Sequence, residues 1–225
     1  MSRIVVMNHV TLDGVMQSPG RVDEDTRGGF THGGWGALVG DEAAGQAFGT
    51  AMRERMQDGG GLRGWLFGRR TYEDLLSYWN RQPDRPFGPM LNSTSKYVVS
   101  NTLKEPLPWP NSTLLLGDIA DSVAALKAQS GGVLGIMGSG KLIEALLRHN
   151  LIDEFLLMIH PLVLGSGHRL FPEGAFARLR LVDSVPTPSG ALIVTYQPID
   201  AAVADGIPTG ESSVSRGKAS AARER

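Results

Sequence analysis

The chain has 225 residues, 41% of them hydrophobic and 20% charged, and a formal net charge of −1. These values are ordinary for a soluble globular protein, and without a dominant basic block they disfavour a nucleic-acid or membrane-surface partner. The absence of cysteine excludes disulfides, thiolate catalysis and cysteine-zinc sites, and no apolar run approaches the ~20 residues that span a bilayer, so we expect a cytoplasmic protein.

Strand-like and helix-like runs alternate along the chain. Apolar runs predict strands at 3–9, 64–67, 96–100, 112–116, 133–137 and 154–160. Helical patterning predicts helices at 41–56, 71–78, 119–129 and 141–149. The last runs, 178–183 and 192–197, flank a turn rich in Pro and Gly and predict an antiparallel hairpin. Because such alternation is typical of parallel strands with crossover helices, we predict an α/β fold with a mostly parallel central sheet and antiparallel C-terminal edge strands.

Two long loops and a biased C-terminal segment interrupt this plan. The loops, 12–40 and 79–94, are expected to lie over strand ends, where open α/β sheets bind ligands. Beyond about Ile199 the composition shifts to Ala, Gly, Ser and Arg, which cannot bury enough apolar surface to offset chain entropy. We therefore predict one folded domain over 1–198 and a disordered tail over 199–225.

A glycine-rich run nearly matches a nucleotide-binding loop. It reads Gly135-Ile136-Met137-Gly138-Ser139-Gly140-Lys141-Leu142 and lies between a predicted strand and a predicted helix. Glycines in that position let backbone N–H groups converge on an anion at a helix N-terminus. The P-loop pattern next requires Ser or Thr to hold Mg²⁺, and Leu142 cannot do so. The loop therefore favours a dinucleotide or phosphorylated ligand over NTP hydrolysis.

An acidic pair, Asp153 and Glu154, precedes the predicted strand at 154–160. A metal-binding acid of the Walker type lies at the carboxyl end of its strand, where ligands gather. We therefore interpret this pair as part of a solvated turn, and we predict no metal site.

Several side chains in or beside the first long loop are candidate ligand contacts. Asp13 follows the first strand and precedes Gly14, so it fits either a substrate contact or an Asp-Gly turn. Trp35 fits either stacking on a flat ring or filling a peripheral apolar gap. His9, within a strand, is interpreted as a satisfied and partly buried side chain, and Asp41 as a helix cap, with a catalytic acid as the alternative for Asp41.

Five segments in chain order carry a family resemblance. They are VTLDG at 10–14, FGRRTYE at 67–73, KYVVSNTL at 96–103, GSG at 138–140, and LIDE at 151–154 followed by PLVLGSGHRLF at 161–171. Together they resemble the dihydrofolate-reductase-like family, specifically the group related to the reductase domain of bifunctional riboflavin-biosynthesis deaminase-reductases. The likeness covers about residues 3–197 and implies a three-layer dihydrofolate-reductase-like fold.

The resemblance implies an NADPH-dependent reductase that transfers a hydride to a small heterocyclic or carbonyl-type substrate. The residues that it implies for the cofactor are Gly68, Arg69, Arg70, Thr71, Ser100, Asn101, Thr102, Gly138, Ser139, Gly140, Lys141 and Leu142. An arginine fork matches phosphate oxygens, although such a pair can also form surface salt bridges, and short polar residues after a strand can also be turn formers.

For the substrate, the resemblance points to Asp13, Trp35 and Met137, with Asp13 as the candidate catalytic group. Reductase domains of the riboflavin group usually carry an acidic residue just before the glycine loop, where this chain has Met137. That departure disfavours the riboflavin precursor as substrate and predicts an apolar pocket wall. The zinc deaminase domain of the bifunctional enzymes is not expected here, because its cysteine signature is absent.

Two further function classes remain as alternatives. An NADP-binding sensor or interaction protein would keep the fold and bind the cofactor without turnover. An ATPase would require Mg²⁺-dependent ATP binding, which Leu142 disfavours. The resemblance also suggests a homodimer, and the apolar hairpin at 179–196 is a surface that could pair with a second copy.

Overall fold

The computed structural model describes residues 1–82, 84–85, 87–129 and 131–199. The strands are β1 (Arg3–Thr11), β2 (Leu62–Gly68), β3 (Lys96–Val99), β4 (Ser112–Leu115), β5 (Val133–Ile136), β6 (Glu154–His160), β7 (Leu179–Pro186) and β8 (Leu192–Pro198). The helices are α1 (Gly36–Val39), α2 (Glu42–Gln57), α3 (Arg69–Asn80), α4 (Phe87–Ser93), α5 (Ile119–Ala128) and α6 (Gly140–Arg148).

The strands form one sheet in the order β4-β3-β2-β5-β1-β6-β8-β7. The pairs among β1 to β6 are all parallel. By contrast, β8 is antiparallel to β6, and β7 is antiparallel to β8. The predicted mostly parallel sheet with antiparallel C-terminal edge strands is thereby confirmed.

Helices cover both faces of the sheet and give three layers. Alternation along β1 sends Ile4 and Val6 into a core with α5 and α6, and Val5 and Met7 into a core with α2, α3 and α4. All four side chains are buried, and full burial of an aliphatic side chain stabilises the fold by about 1.5–3 kcal/mol. The predicted dihydrofolate-reductase-like α/β fold is confirmed by this arrangement and by the structural relatives described below.

Asp41 begins α2 in the way the sequence predicts. Its Oδ1 accepts a hydrogen bond of 2.6 Å from the backbone N–H of Ala44, and its own backbone is extended. A side-chain oxygen that accepts from the first turn satisfies one of the helix's unpaired donors. The cap fixes where α2 starts above the sheet.

Helix α4 lies inside the predicted loop 79–94. Gly88 and Pro89 give this segment a low helix propensity, which is why the sequence pattern indicates a loop. Tertiary contacts override that preference, because Leu91 is fully buried among the residues under α2 and α3. The buried Lys96 ammonium also donates to the carbonyl oxygens of Leu91 and Thr94, at 2.5 and 2.7 Å, and so closes the end of α4.

The interpretation of Asp153 and Glu154 as a solvated turn is wrong. Glu154 is only 2% exposed, and its carboxylate lies 2.8 Å from Arg3 Nη2 and 2.8 Å from Arg55 Nε. The Asp153 carboxylate accepts a hydrogen bond of 2.7 Å from the backbone N–H of Ile4. These partners are distant in sequence, so the local pattern could not reveal that both acids are structural.

Residues 200–225, which contain almost all of the predicted tail, lie outside the described part of the chain. The boundary at 198 and the disorder of the tail therefore stay predictions. Among the described helices, none has the length and apolar character needed to cross a membrane. Within the same described ranges, no cluster of His, Asp or Glu is placed to hold a metal ion.

Candidate functional site

A cavity of about 1220 Å³ opens at the carboxyl ends of β1, β2 and β5. Its walls come from the loop after β1, one face of α2, the first turns of α3 and the loop that joins β5 to α6. Ligands bind at this edge of open α/β sheets. The volume exceeds the ~300–1,000 Å³ that usually holds one small ligand, so there is room for a dinucleotide and a substrate together.

The junction of β2 with α3 and the glycine-rich run before α6 are joined to each other at this edge. The backbone N–H of Gly68 donates to Ser139 Oγ at 3.1 Å, and the backbone N–H of Ser139 donates to Thr71 Oγ1 at 2.9 Å. The neighbouring Gly138 N–H donates to Asn8 Oδ1 at 2.7 Å. The starts of α3 and α6 are therefore held side by side, with both N-termini at the cavity edge.

This double helix start has the features of an anion site. Gly138 has a φ of +59°, and a Cβ there would lie 3.0 Å from Thr71 Cγ2, so only glycine lets the start of α3 pack this closely against the loop. Gly140 begins α6, and the first N–H groups of a helix have no partner within it. Arg70 and Lys141 line the same cavity and add positive charge. Together these groups suit a pyrophosphate.

The structure brings half of the twelve predicted cofactor residues into the cavity lining. They are Arg70, Thr71, Gly138, Ser139, Gly140 and Lys141. Gly68 is joined to them through its hydrogen bond to Ser139. Leu142 is buried in the core under α6, so only its backbone faces this edge. The near match to a P-loop therefore coincides in position with this candidate anion site.

The other predicted cofactor residues lie outside the lining. Arg69 has a half-exposed side chain, and its Nη1 lies 3.9 Å from the Glu73 carboxylate. Ser100 Oγ accepts from the backbone N–H of Thr102 at 3.1 Å, while the Asn101 amide bonds to the backbone of Gly117. These contacts fit the turn-forming alternative for the segment after β3. Cofactor contacts by Arg69 and by this segment stay predictions.

One wall of the cavity is apolar. Its side chains belong to or pack on the core between the sheet and α2 to α4, and they are Met7, Phe48, Met52, Leu75, Trp79, Phe87 and Met137. The rings of Trp79 and Phe87 meet edge to face with centroids 4.9 Å apart. Met137 thus lies in an apolar wall next to the glycine loop.

Two histidines from neighbouring strands meet beside this apolar wall. His9 Nδ1 lies 3.0 Å from His160 Nε2, and the His9 ring packs against Phe48 with centroids 4.8 Å apart. His9 lines the cavity, whereas His160 is buried behind it. The pair is not evident from the sequence, because the two residues are 151 positions apart. A usable signal was that each lies near the carboxyl end of an apolar strand.

The histidine pair makes stability depend on pH. Burial, with a smaller effect of His160, lowers the pKa of His9 to about 4, and burial also lowers the pKa of His160. The unfolded chain takes up these protons near pH 6.5, so this part of the stability is complete above pH 6.5 and is lost as pH falls towards 4. For His9 the loss is about 2–3 kcal/mol at pH 4.5.

Urea unfolding at pH 7.5 and pH 4.5 measures this effect. We expect the difference in unfolding free energy between the two pH values to be smaller in His9→Phe than in the wild type. Equal pH dependence in the two proteins would contradict the assignment of acid sensitivity to His9.

Asp13 lies outside the cavity lining, at the base of a loop. Its carboxylate accepts hydrogen bonds from Thr11 Oγ1 at 2.6 Å, Gly165 N at 2.9 Å and Leu164 N at 3.2 Å. Partial burial acts to raise the pKa of Asp13, but these hydrogen bonds outweigh it and lower the pKa. The ionised Asp13 carboxylate therefore fixes the loop after β6. A catalytic or substrate-binding role for Asp13 stays a prediction.

Trp35 is fully buried within the long loop after β1. Its Nε1 donates to the carbonyl oxygen of Gln17 at 2.7 Å, and its ring packs with Val15 and Phe30 in a small separate core. This placement matches the gap-filling alternative and not a ring that faces the cavity. The structure does not bring Trp35 together with Met137.

Comparison with known proteins identifies relatives over most of the chain. Residues 3–193 match the family model of the RibD C-terminal domain. The uncharacterized protein YyaP of Bacillus subtilis (strain 168) is 31% identical over 137 residues, which are 58% of this chain and 71% of YyaP. A crystal structure from Shewanella sp. PV-4, of a protein assigned by name to riboflavin biosynthesis, has 27% identity and a TM-score of 0.65, covering 89% of this chain and all of that one.

Two more distant structures share the fold. A pyrimidine reductase-like protein of Corynebacterium diphtheriae has 12% identity and a TM-score of 0.56, with 88% of this chain and 92% of that chain covered. The dihydrofolate reductase of Enterococcus faecalis, solved with NADP(H), has 15% identity and a TM-score of 0.54, with 88% and 97% covered. The family match over nearly all of the described chain, on this fold, shows that the protein belongs to the RibD C-terminal domain family.

Proposed function

We propose that the protein is an NADPH-dependent reductase of a small heterocyclic or carbonyl-type substrate. The observation that carries the proposal is the candidate anion site formed by the joined starts of α3 and α6, in a cavity that also has an apolar wall. Membership in the RibD C-terminal domain family supports a reductase-type activity. When bound, NADPH supplies a hydride from its nicotinamide ring to an sp² carbon of the substrate.

Different residues of the cavity bind the cofactor and the substrate in this proposal. The N–H groups of Gly138 and Ser139 are held by Asn8 and Thr71. The first N–H groups of α6, from Gly140 onwards, are therefore the ones offered to the pyrophosphate, and Arg70 and Lys141 add charge beside it. The apolar wall that includes Met137 receives a flat ring and excludes water from it. An apolar wall at this position disfavours a sugar-phosphate chain, so the riboflavin precursor is not our proposed substrate.

The two arginines at the start of α3 are expected to act differently. Arg69→Ala should weaken NADPH binding by roughly 1.5–3 kcal/mol and barely change NADH binding, if the exposed Arg69 contacts the 2′-phosphate. Arg70→Ala should weaken both cofactors alike, because Arg70 lines the cavity beside the pyrophosphate site. Titrations followed by nicotinamide fluorescence measure all four dissociation constants.

Comparison of Arg69→Ala with Arg70→Ala tests whether Arg69 contacts the 2′-phosphate. An equal loss for NADPH and NADH in Arg69→Ala would contradict a contact with the 2′-phosphate. Selective loss of NADPH in Arg70→Ala would transfer that contact to Arg70.

We also propose that the protein forms a homodimer through the hairpin of β7 and β8. Strand β7 is at the edge of the sheet and leaves Leu181, Val182 and Val185 between 43% and 50% exposed. An exposed apolar edge strand is a template for pairing with another chain. Sedimentation equilibrium should give twice the mass of one chain, and Val182→Lys should shift the mass towards one chain.

A further inference from the structure

The part of the cavity lining that β1 and α2 contribute is uncharged, in contrast to the charged residues of the loop after β1 and of α3. The lining residues that β1 and α2 contribute are Met7, Asn8, His9, Gly45, Phe48, Gly49 and Met52, and none of them is charged. Asn8 is buried and already bonded to the backbone of Gly138. His9 Nε2 has no hydrogen-bond partner in the described ranges, so it is the polar atom that this wall offers to a ligand.

His160 determines which ring nitrogen of His9 carries the proton. His160 Nδ1 is buried and has no hydrogen-bond partner within the described part of the chain. If His9 donated from Nδ1, the proton of His160 would sit on this unpartnered Nδ1, and orphaned buried N–H groups are rare. The better arrangement has His160 Nε2–H donating to His9 Nδ1 across their 3.0 Å contact. His9 then carries its own proton on Nε2, which faces the cavity.

Space for a flat ligand is present beside this N–H. Gly45 and Gly49 lie one turn apart on the cavity side of α2, and a Cβ at Gly45 would meet nothing within 4 Å. A Cβ at Gly49 would meet only the flexible Arg53 side chain, at 3.6 Å. Glycine inside a helix costs about 1 kcal/mol relative to alanine, and no packing contact in the described chain requires it here. The glycines leave a shallow groove next to Phe48.

We propose that His9 is the recognition residue of the substrate pocket, that its Nε2–H donates a hydrogen bond to an acceptor atom of a planar, uncharged ligand, and that His160 is the positioning residue which fixes this tautomer. The acceptor is a carbonyl oxygen or an imine-type ring nitrogen. Uncharged quinones, enones and neutral N-heterocycles belong to this class. The proposal rests on the proposed reductase function, for which it names the substrate class.

Binding of two probes of similar shape tests the recognition directly. Menadione, an uncharged quinone, carries carbonyl acceptors, and 2-methylnaphthalene carries none. Equilibrium dialysis without NADPH should show that His9→Phe weakens menadione binding about tenfold, the value of one hydrogen bond of ~1.4 kcal/mol, and leaves 2-methylnaphthalene within about twofold. His9→Gln, which keeps an N–H donor, should retain most of the menadione affinity. His32→Phe, an exposed histidine outside the cavity, is the matched control and should change neither.

Either of two results would overturn the proposal. One is a wild-type protein that binds neither probe, and the other is menadione binding that is unchanged in His9→Phe. His9-dependent binding of menadione without any NADPH binding would support this inference and overturn the reductase proposal. NADPH binding with no effect of His9 on menadione would overturn this inference alone.

The tautomer supplies a second readout that needs no substitution at His9. Two-bond ¹⁵N–¹H spectra of the ¹⁵N-histidine-labelled protein at neutral pH should show the His9 ring protonated on Nε2 and not on Nδ1. His160→Phe should move this ring towards a mixture of tautomers, which a purely space-filling role of His160 would not do. A proton on His9 Nδ1 in the wild type would overturn the proposal.

Discussion

Replacing Gly140 with aspartate is expected to weaken NADPH binding about 100-fold while leaving the protein folded. Gly140 begins α6 and lines the cavity, so a carboxylate there would lie beside the pyrophosphate. Repulsion between charges a few ångströms apart amounts to about 1–4 kcal/mol at effective dielectric constants between those of water and a protein surface. The fold should tolerate the change, because an acidic residue favours a helix N-terminus.

Gly140→Ala is the matched control for the added side chain. Its Cβ would lie 3.2 Å from Met16 Sδ, and the flexible methionine can move by the small amount needed. We expect alanine to reduce NADPH affinity only a few-fold, with melting temperatures close to the wild type in both variants. Equal affinity of the aspartate and alanine variants would contradict a phosphate site at the start of α6.

Replacing Glu154 with leucine is expected to destabilise the fold by about 3 kcal/mol. This carboxylate is 2% exposed at the end of the sheet remote from the cavity, and it pairs with Arg3 and Arg55 and accepts from Gln197 Nε2 at 3.0 Å. Removing one member of a buried ion pair leaves uncompensated charge and costs about 3–5 kcal/mol. Because the two arginines are partly exposed, we expect the loss of stability to lie at the lower end of this range.

Asp58→Asn is the control for the same cluster. Asp58 pairs with the other side of Arg3, but its side chain is 59% exposed. Its loss should therefore cost less than about 1 kcal/mol. Urea unfolding at neutral pH compares the two variants, and a loss for Glu154→Leu no larger than for Asp58→Asn would show that burial of Glu154 does not matter.

The features that could be predicted from the sequence are those with local causes. Alternating apolar runs and helical patterns indicate a parallel sheet, because each element shows its own periodicity. The Gly138–Gly140 segment could be placed at a helix start for the same reason. Asp41 could be interpreted as a cap, because capping depends on the three residues that follow it.

The features that the sequence could not show depend on contacts between distant segments. Nothing near His9 indicates that His160 will lie 3.0 Å away, because only the pairing of β1 with β6 brings them together. The burial of the Glu154 carboxylate likewise depends on its ion pair with Arg3 in the neighbouring strand. Helix α4 forms against its own propensity because the fold buries Leu91.

Titration of the purified protein with NADPH and NADH, followed by nicotinamide fluorescence, tests the central claim most directly. We predict saturable binding of NADPH at concentrations well below those needed for NADH, and loss of that binding in Gly140→Asp. Oxidation of the bound NADPH by an added acceptor would then separate an enzyme from a sensor that binds without turnover. Binding of neither nucleotide would contradict the account, and it would mean that the glycine loop joins α3 to α6 only as architecture.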